Sequence, residues 1–266
     1  MLAPLSPPPM LGKRMGAVLV AALREMAGEA RALVLALPRA PGAAQELSSA
    51  MDALPDDAQR RLNALYARWQ HRFASIAEEW SRRMLSGVAA HSTAQLSLGL
   101  KDMAERLEIQ ATMASPRVRA VAEAATAASV GLITRIPQQY LGAVQTAVMS
   151  AITTGSGLER LVPYLTKKYK GDARHAQLTA LDQVRKASEN FNEARVRALG
   201  AEEYVWLHTG GERYPRKLHQ RYSGHTFRYD DPPVIDERTK ERGKPGDAIN
   251  CRCRARPVFK FTRMVQ

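Results

Sequence analysis

The chain has 266 residues, 45% of them hydrophobic and 24% charged, a balance that excludes wholesale disorder, collagen-like repeats and a disulfide scaffold. Its 39 Lys and Arg against 26 Asp and Glu leave a formal net charge of +13, which favours an acidic partner, most simply a nucleic-acid backbone. The excess is uneven: residues 1–130 carry 15 basic and 12 acidic side chains, and residues 131–266 carry 24 and 14. The basic residues are dispersed among acids with no arginine-rich tract, so contact with nucleic acid is expected to be electrostatic and independent of base sequence. A solvated face with a basic tail is the alternative. The cysteines are Cys251 and Cys253, and two thiols say nothing about the redox compartment.

Residues 1–9 contain four prolines and read as an extended arm. Lys13 and Arg14 followed by Met15–Leu23 imitate the start of a signal peptide, but the apolar run stops at Arg24 after nine residues. A spanning helix needs about 20. The expectation is an amphipathic helix from Met10 to Leu37 and no membrane segment, with a short signal peptide cleaved near Ala27–Ala30 as the alternative. Residues 38–55 read as a connector. Leu62, Leu65, Tyr66, Trp69, Phe73, Ile76, Trp80 and Met84 then step by three and four, the spacing of one helix face, with Asp56 and Asp57 at the start. Such an aromatic stripe reads as core or as a seam with a partner helix.

Ser115-Pro116 has the form of a helix cap followed by proline in the first turn, opening a helix to about Leu132. Pro137 opens another, closed by Thr153–Gly157. A short helix from Leu158 to Lys170 is expected to end at Gly171, and a long one from Ala173 to Leu199 ends at Gly200. Beyond Gly200 the pattern turns strand-like at Tyr204–His208, Thr226–Tyr229 and Ala255–Phe261, with a polar loop over residues 234–247. The expected fold is α+β and predominantly helical. It divides into the arm (1–9), a helical region (10–115), a second helical region (116–200) and a small, mixed, basic C-terminal module (201–266).

That module holds an ordered set of motifs. Tyr204-x-Trp206 is followed by Glu212-Arg213-x-x-Arg216-x-x-His219, Gly224-x-x-Phe227, Pro232-Pro233, Lys244-Pro245-Gly246 and Asn250-Cys251-Arg252-Cys253-Arg254, then Pro257. Upstream lie Asp182-Gln183, Asn192, Arg195 and Gly200 on one helix, and Ile136-Pro137-x-x-Tyr140 and Leu158-x-x-Leu161 before it. The series resembles the Mu F-like minor head protein family of tailed bacteriophages, the head-morphogenesis proteins, over Leu132–Phe259. One departure is Gly210-Gly211-Glu212-Arg213, where the family more often has an aspartate before Glu-Arg.

The resemblance implies a minor structural head protein, made in the host cytoplasm and carried in the virion at the portal vertex. Its implied partners are the portal and major capsid proteins and packaged double-stranded DNA, and its implied roles are head morphogenesis and DNA packaging or delivery. It implies no catalytic activity. A motif that frames Ser223-Gly224-His225, Glu212 or Asp236 as a nucleophile or acid–base pair is also missing, so the protein is expected not to be an enzyme. A host DNA-binding regulator would need a recognition helix that is not evident.

On an extended backbone, residues two apart share a face, so the thiols of Cys251 and Cys253 project together. His208, His219 and His225 lie upstream. Two sulfurs and one or two imidazoles can make a tetrahedral zinc site, with His219, Cys251 and Cys253 as the ligand candidates. Two buried free thiols packed against Trp206 and Pro257 are the other reading, with no cofactor, and a disulfide would close a very tight ring. The enzymatic alternative is a metal-dependent enzyme acting on nucleic acid through the same three residues. Arg213, Arg216 and His219 are spaced to share a helical turn, and with Lys217, Arg252 and Arg254 they are the candidates for phosphate or portal contact. The arginines could equally bond unpaired loop carbonyls. Asp182, Gln183, Trp206 and Asn250 are the structural members of the motif.

Overall fold

The computed structural model describes residues 3–37, 47–100, 115–154, 158–210 and 215–259. It is mostly helical: α1 (Leu11–Ala36), α2 (Leu47–Leu100), α3 (Pro116–Ile133), α4 (Arg135–Thr154), a 3-10 turn (Leu158–Arg160) and α5 (Leu161–Ala198). The module follows with β1 (Glu203–Leu207), α6 (Lys217–Arg221), β2 (Thr226–Arg228) and β3 (Arg254–Val258). The expected α+β class with helices dominant is the observed one. No helix among the described residues is long and apolar enough to cross a membrane.

Two compact units divide the chain. A helical unit comprises Lys13–Ser81 and Ala128–Thr179; the other comprises Met1–Gly12, Arg82–Ala127 and Ala180–Gln266 and carries the module. In the helical unit, Met15, Leu19, Leu23, Met26, Ala30 and Val34 bury one stripe of α1. Leu62, Leu65, Trp69, Phe73 and Trp80 of α2 are buried as the spacing predicts, while Tyr66 and Ile76 are half-buried. The indoles keep their polar edges satisfied: Trp80 Nε1 donates to the Met15 carbonyl and Trp69 Nε1 to Glu29 Oε2, both at 3.0 Å.

The second unit gathers the N-terminal arm, the end of α2, the start of α3, the last part of α5 and the module. Leu5 and Leu96 join Val196, Ala201, Tyr204, Trp206, Tyr229, Ile235, Cys251 and Cys253 in one apolar cluster. The arm is held to α2 by Ser6, whose N–H donates to Gln95 Oε1 at 3.0 Å and whose hydroxyl accepts from Gln95 Nε2 at 2.7 Å. Buried Arg195 of α5 reaches α2, donating from Nη1 to Ser92 Oγ at 3.2 Å and Thr93 Oγ1 at 2.9 Å.

The helix caps follow the sequence. Ser115 Oγ accepts the Val118 N–H at 3.2 Å, and Pro116 stands in the first turn, where a missing N–H costs nothing. Gly200 ends α5 with φ +91°, and Ala201 N donates back to the Val196 carbonyl at 3.0 Å.

Three boundaries differ from expectation. α2 begins at Leu47 inside the expected connector and takes Pro55 into its interior; proline removes one backbone bond of the many along a helix of this length. α4 begins two residues before Pro137, at Arg135, placing the proline in the first turn. Gly171 does not end a helix, since α5 continues through it. A helical glycine costs about 1 kcal/mol, less than the packing on either side returns.

The sheet is small and antiparallel, ordered β2-β1-β3. In register, Val205 faces Thr226 of β2 and Trp206 faces Ala255 of β3. The central strand buries Tyr204, Val205 and Trp206 in succession, the pattern of a strand covered on both faces.

Candidate functional site

The site lies in the module, around the end of β1. Trp206 is fully buried, with the rings of His219, Tyr222 and Phe227 meeting it edge-on at centroid distances of 5.1, 5.4 and 6.1 Å. The short α6 delivers His219, which has no exposed surface. Its Nε2–H donates to the Ile235 carbonyl at 3.2 Å. A carbonyl only accepts, so in the neutral ring the proton sits on Nε2 and Nδ1 presents a lone pair.

That lone pair faces both cysteines, with His219 Nδ1 3.5 Å from Cys251 Sγ and 3.7 Å from Cys253 Sγ. The three ligand atoms lie within 4.8 Å of one another, and both cysteines are buried and outside any disulfide. The Cys-x-Cys segment thus presents its two thiols together, as the period of an extended backbone requires, with Arg252 between them exposed. Cys253, with His219 and backbone groups, holds the Cys251 thiol well below its usual range, against the opposing effect of burial.

The loop carrying the cysteines is fixed to α5. Asn250 adopts a left-handed conformation at φ +57°, and its N–H donates to Asp182 Oδ1 at 2.6 Å. Asp182 Oδ2 pairs with Lys186 at 3.1 Å. Asp182 and Asn250 therefore act as a clamp that sets the height of Cys251, and Gln183 is buried next to Asp182 in the chain.

Two turns beyond Asp182 along α5, Glu189 lies beneath the same loop. The residue as a whole is half-buried, but burial of its carboxyl pushes it up to about 8, opposed by a hydrogen bond from the Ala255 N–H and by the charge of Arg254. Gly246 crosses directly above it at φ +97°, where a Cβ would stand 2.8 Å from Glu189 Cγ and 3.2 Å from its Cβ. Gly246→Ala is expected to cost about 2 kcal/mol, combining left-handed strain with the steric overlap, read as a lower urea midpoint at unchanged slope.

The basic candidates do not converge. Arg213 lies outside the described residues. Arg216 precedes α6 in an extended conformation, so it does not share a helical turn with His219, and its Nη2 donates to the Ile249 carbonyl at 2.9 Å. That bond is the loop-carbonyl role left open by the sequence. Lys217 and Arg252 are exposed, while Arg254 is half-buried in β3. His225 is exposed.

A participant that the sequence did not single out is His208, at the end of β1. Its Nδ1 lies 3.5 Å from Cys253 Sγ, and its backbone N–H donates to Ser223 Oγ at 3.2 Å. Among three nearby histidines, spacing alone could not choose. The antiparallel pairing of β1 with β3, which brings Leu207 opposite Arg254, is what sets His208 beside Cys253.

The family model described as Phage Mu protein F like protein matches residues 142–256, a span that contains α5, β1, β2, the Cys-x-Cys segment and the first three residues of β3. This segment is a Phage Mu protein F-like domain. An uncharacterized protein of Haemophilus influenzae is 31% identical over 186 residues, covering 70% of this chain and 40% of that protein. The chain thus spans well under half the length of that curated relative. No solved structure matches the chain. The clamp, the buried tryptophan and the His/Cys cluster all fall inside the Mu F-like domain, whereas Leu5 and Leu96 of its apolar cluster lie outside the matched span.

Proposed function

We propose that the protein is a minor structural head protein of a tailed bacteriophage, acting in head morphogenesis near the portal and in DNA packaging or delivery. It is made in the host cytoplasm and carried in the virion at the portal vertex, with portal and major capsid proteins as partners. The observation that carries this reading is the Mu F-like match over the part of the chain with the most specific motifs. The charge supports it: residues 131–266 hold 24 basic against 14 acidic side chains, suited to packaged double-stranded DNA without sequence recognition.

The protein is not an enzyme in this reading. His219, Cys251 and Cys253 are each 2% exposed or less, so the cluster presents no accessible nucleophile and no open face to a nucleic-acid substrate.

The experiment is deletion of the gene from a phage that carries it, with head morphology and infectivity as readouts. Misassembled or non-infectious heads, restored by the gene in trans, are expected; normal infectious heads would defeat the proposal. Purified protein is expected to bind unrelated duplexes equally. With about three phosphate contacts the log–log salt slope is about −2.7, so raising salt from about 50 to about 200 mM weakens binding roughly fortyfold. A salt-independent affinity would remove DNA from the partners.

A further inference from the structure

We propose that His208, His219, Cys251 and Cys253 form a closed tetrahedral zinc site that holds the C-terminal module in shape. The site goes beyond the head-protein reading and does not depend on it. With ordinary Zn–S and Zn–N bond lengths, tetrahedral geometry separates a ligating sulfur from a ligating nitrogen by about 3.6 Å. The observed pairs are Cys251–His219 at 3.5 Å, Cys253–His208 at 3.5 Å and Cys253–His219 at 3.7 Å. Both imidazoles present Nδ1 to the sulfurs.

His219 already has the outer contact that metal-bound histidines use. Its far nitrogen donates to the Ile235 carbonyl, which fixes the tautomer and leaves Nδ1 free to ligate. Two sulfurs and two imidazole nitrogens are the donor set that suits zinc among common divalent ions. The apolar wall formed by Trp206 keeps water away from the sulfurs.

The topology explains what the ion would do. Strands of five, three and five residues and one five-residue helix carry little regular hydrogen bonding. The four donors come from the end of β1, from α6 and from the loop entering β3, so one ion ties together three segments that loops otherwise separate. Four protein donors leave no position for a substrate, so the role is structural.

The test uses the full chain without an affinity tag, purified from zinc-supplemented cells with no chelator. Elemental analysis is expected to find one zinc per chain, and both thiols should resist a thiol reagent until the ion is extracted. Replacement by cobalt should give the intense visible bands of a tetrahedral ion with thiolate ligands. Folded protein that holds no zinc and gives no such cobalt spectrum overturns the proposal, as does iron in place of zinc. Cys251→Ser and Cys253→Ser should lose the ion, although either variant can also fail to fold. His208→Asn, at the half-buried edge of the cluster, is the safer variant. It should keep the fold, alter the cobalt bands and weaken zinc affinity by about tenfold or more. Unchanged bands and affinity in that variant would remove His208 and overturn the four-donor site.

Discussion

Trp206→Ala is expected to cost about 3–5 kcal/mol and to disorder the module, because the indole is fully buried on the central strand and three rings pack edge-on against it. Trp206→Phe should cost far less. Its buried Nε1 finds no hydrogen-bond partner among the described residues, so replacing the indole by a hydrocarbon ring removes an unsatisfied donor along with some volume. The net for phenylalanine is expected below about 1.5 kcal/mol. Equilibrium urea unfolding of the two variants separates the effects, and an alanine variant as stable as the parent would contradict the packing described. The remaining tryptophans, Trp69 and Trp80, belong to the helical unit, so loss of Trp206 also removes the module's own indole signal and the change must be followed by circular dichroism.

Glu189 gives the second large effect, and its sign follows from the direction of the shift. In the unfolded chain this carboxyl titrates near 4.5, and in the fold burial pushes it up to about 8. Between those values the folded protein binds more protons than the unfolded one. Stability is therefore greatest near pH 4.5 as far as this group is concerned, falls as pH rises, and levels off above about 8. The full shift is worth at most about 5 kcal/mol, and relaxation around the charged form reduces it to a few kcal/mol. Glu189→Gln should match the parent near pH 5 and exceed it by about 2–3 kcal/mol near pH 9. Parallel stability–pH curves for parent and variant would show that the carboxyl finds compensation that its surroundings do not display.

Local signals in the sequence were good guides where one residue's chemistry decides the backbone. Ser115-Pro116 and Gly200 mark helix ends because a hydroxyl cap, a fixed φ and a left-handed turn each act within a few residues. The strands of the module were legible for a similar reason: Tyr204–His208 lies between Gly200 and Gly210, and Thr226–Tyr229 between Gly224 and Pro232. Gly171 misled because a propensity of about 1 kcal/mol is small beside the burial of the helix that contains it. The start of α2 was hidden by a proline that the helix simply includes.

The site was legible in part. Cys251, Cys253 and His219 could be grouped from residue type and the two-residue period, and the structure brings them together. His208 could not be chosen over His225, since the choice depends on which residue the pairing of β1 with β3 carries to the sulfurs. The clamp between Asp182 and Asn250 spans 68 positions and has no local signature beyond the two residues themselves. Glu189 escaped notice entirely, because a glutamate on a helix looks solvated until a loop is laid over it.

The apolar cluster of the module has an evolutionary consequence. Leu5 and Leu96 line it together with Val196, Trp206 and the two cysteines, yet both lie upstream of the matched span that begins at residue 142. A recombination event that exchanged only the matched span between two such genes would pair one parent's module with the other parent's lining. Chimeras cut near residue 142 should therefore inherit mismatched interiors, and viable exchanges should carry the N-terminal arm and the end of α2 along with the module they cover.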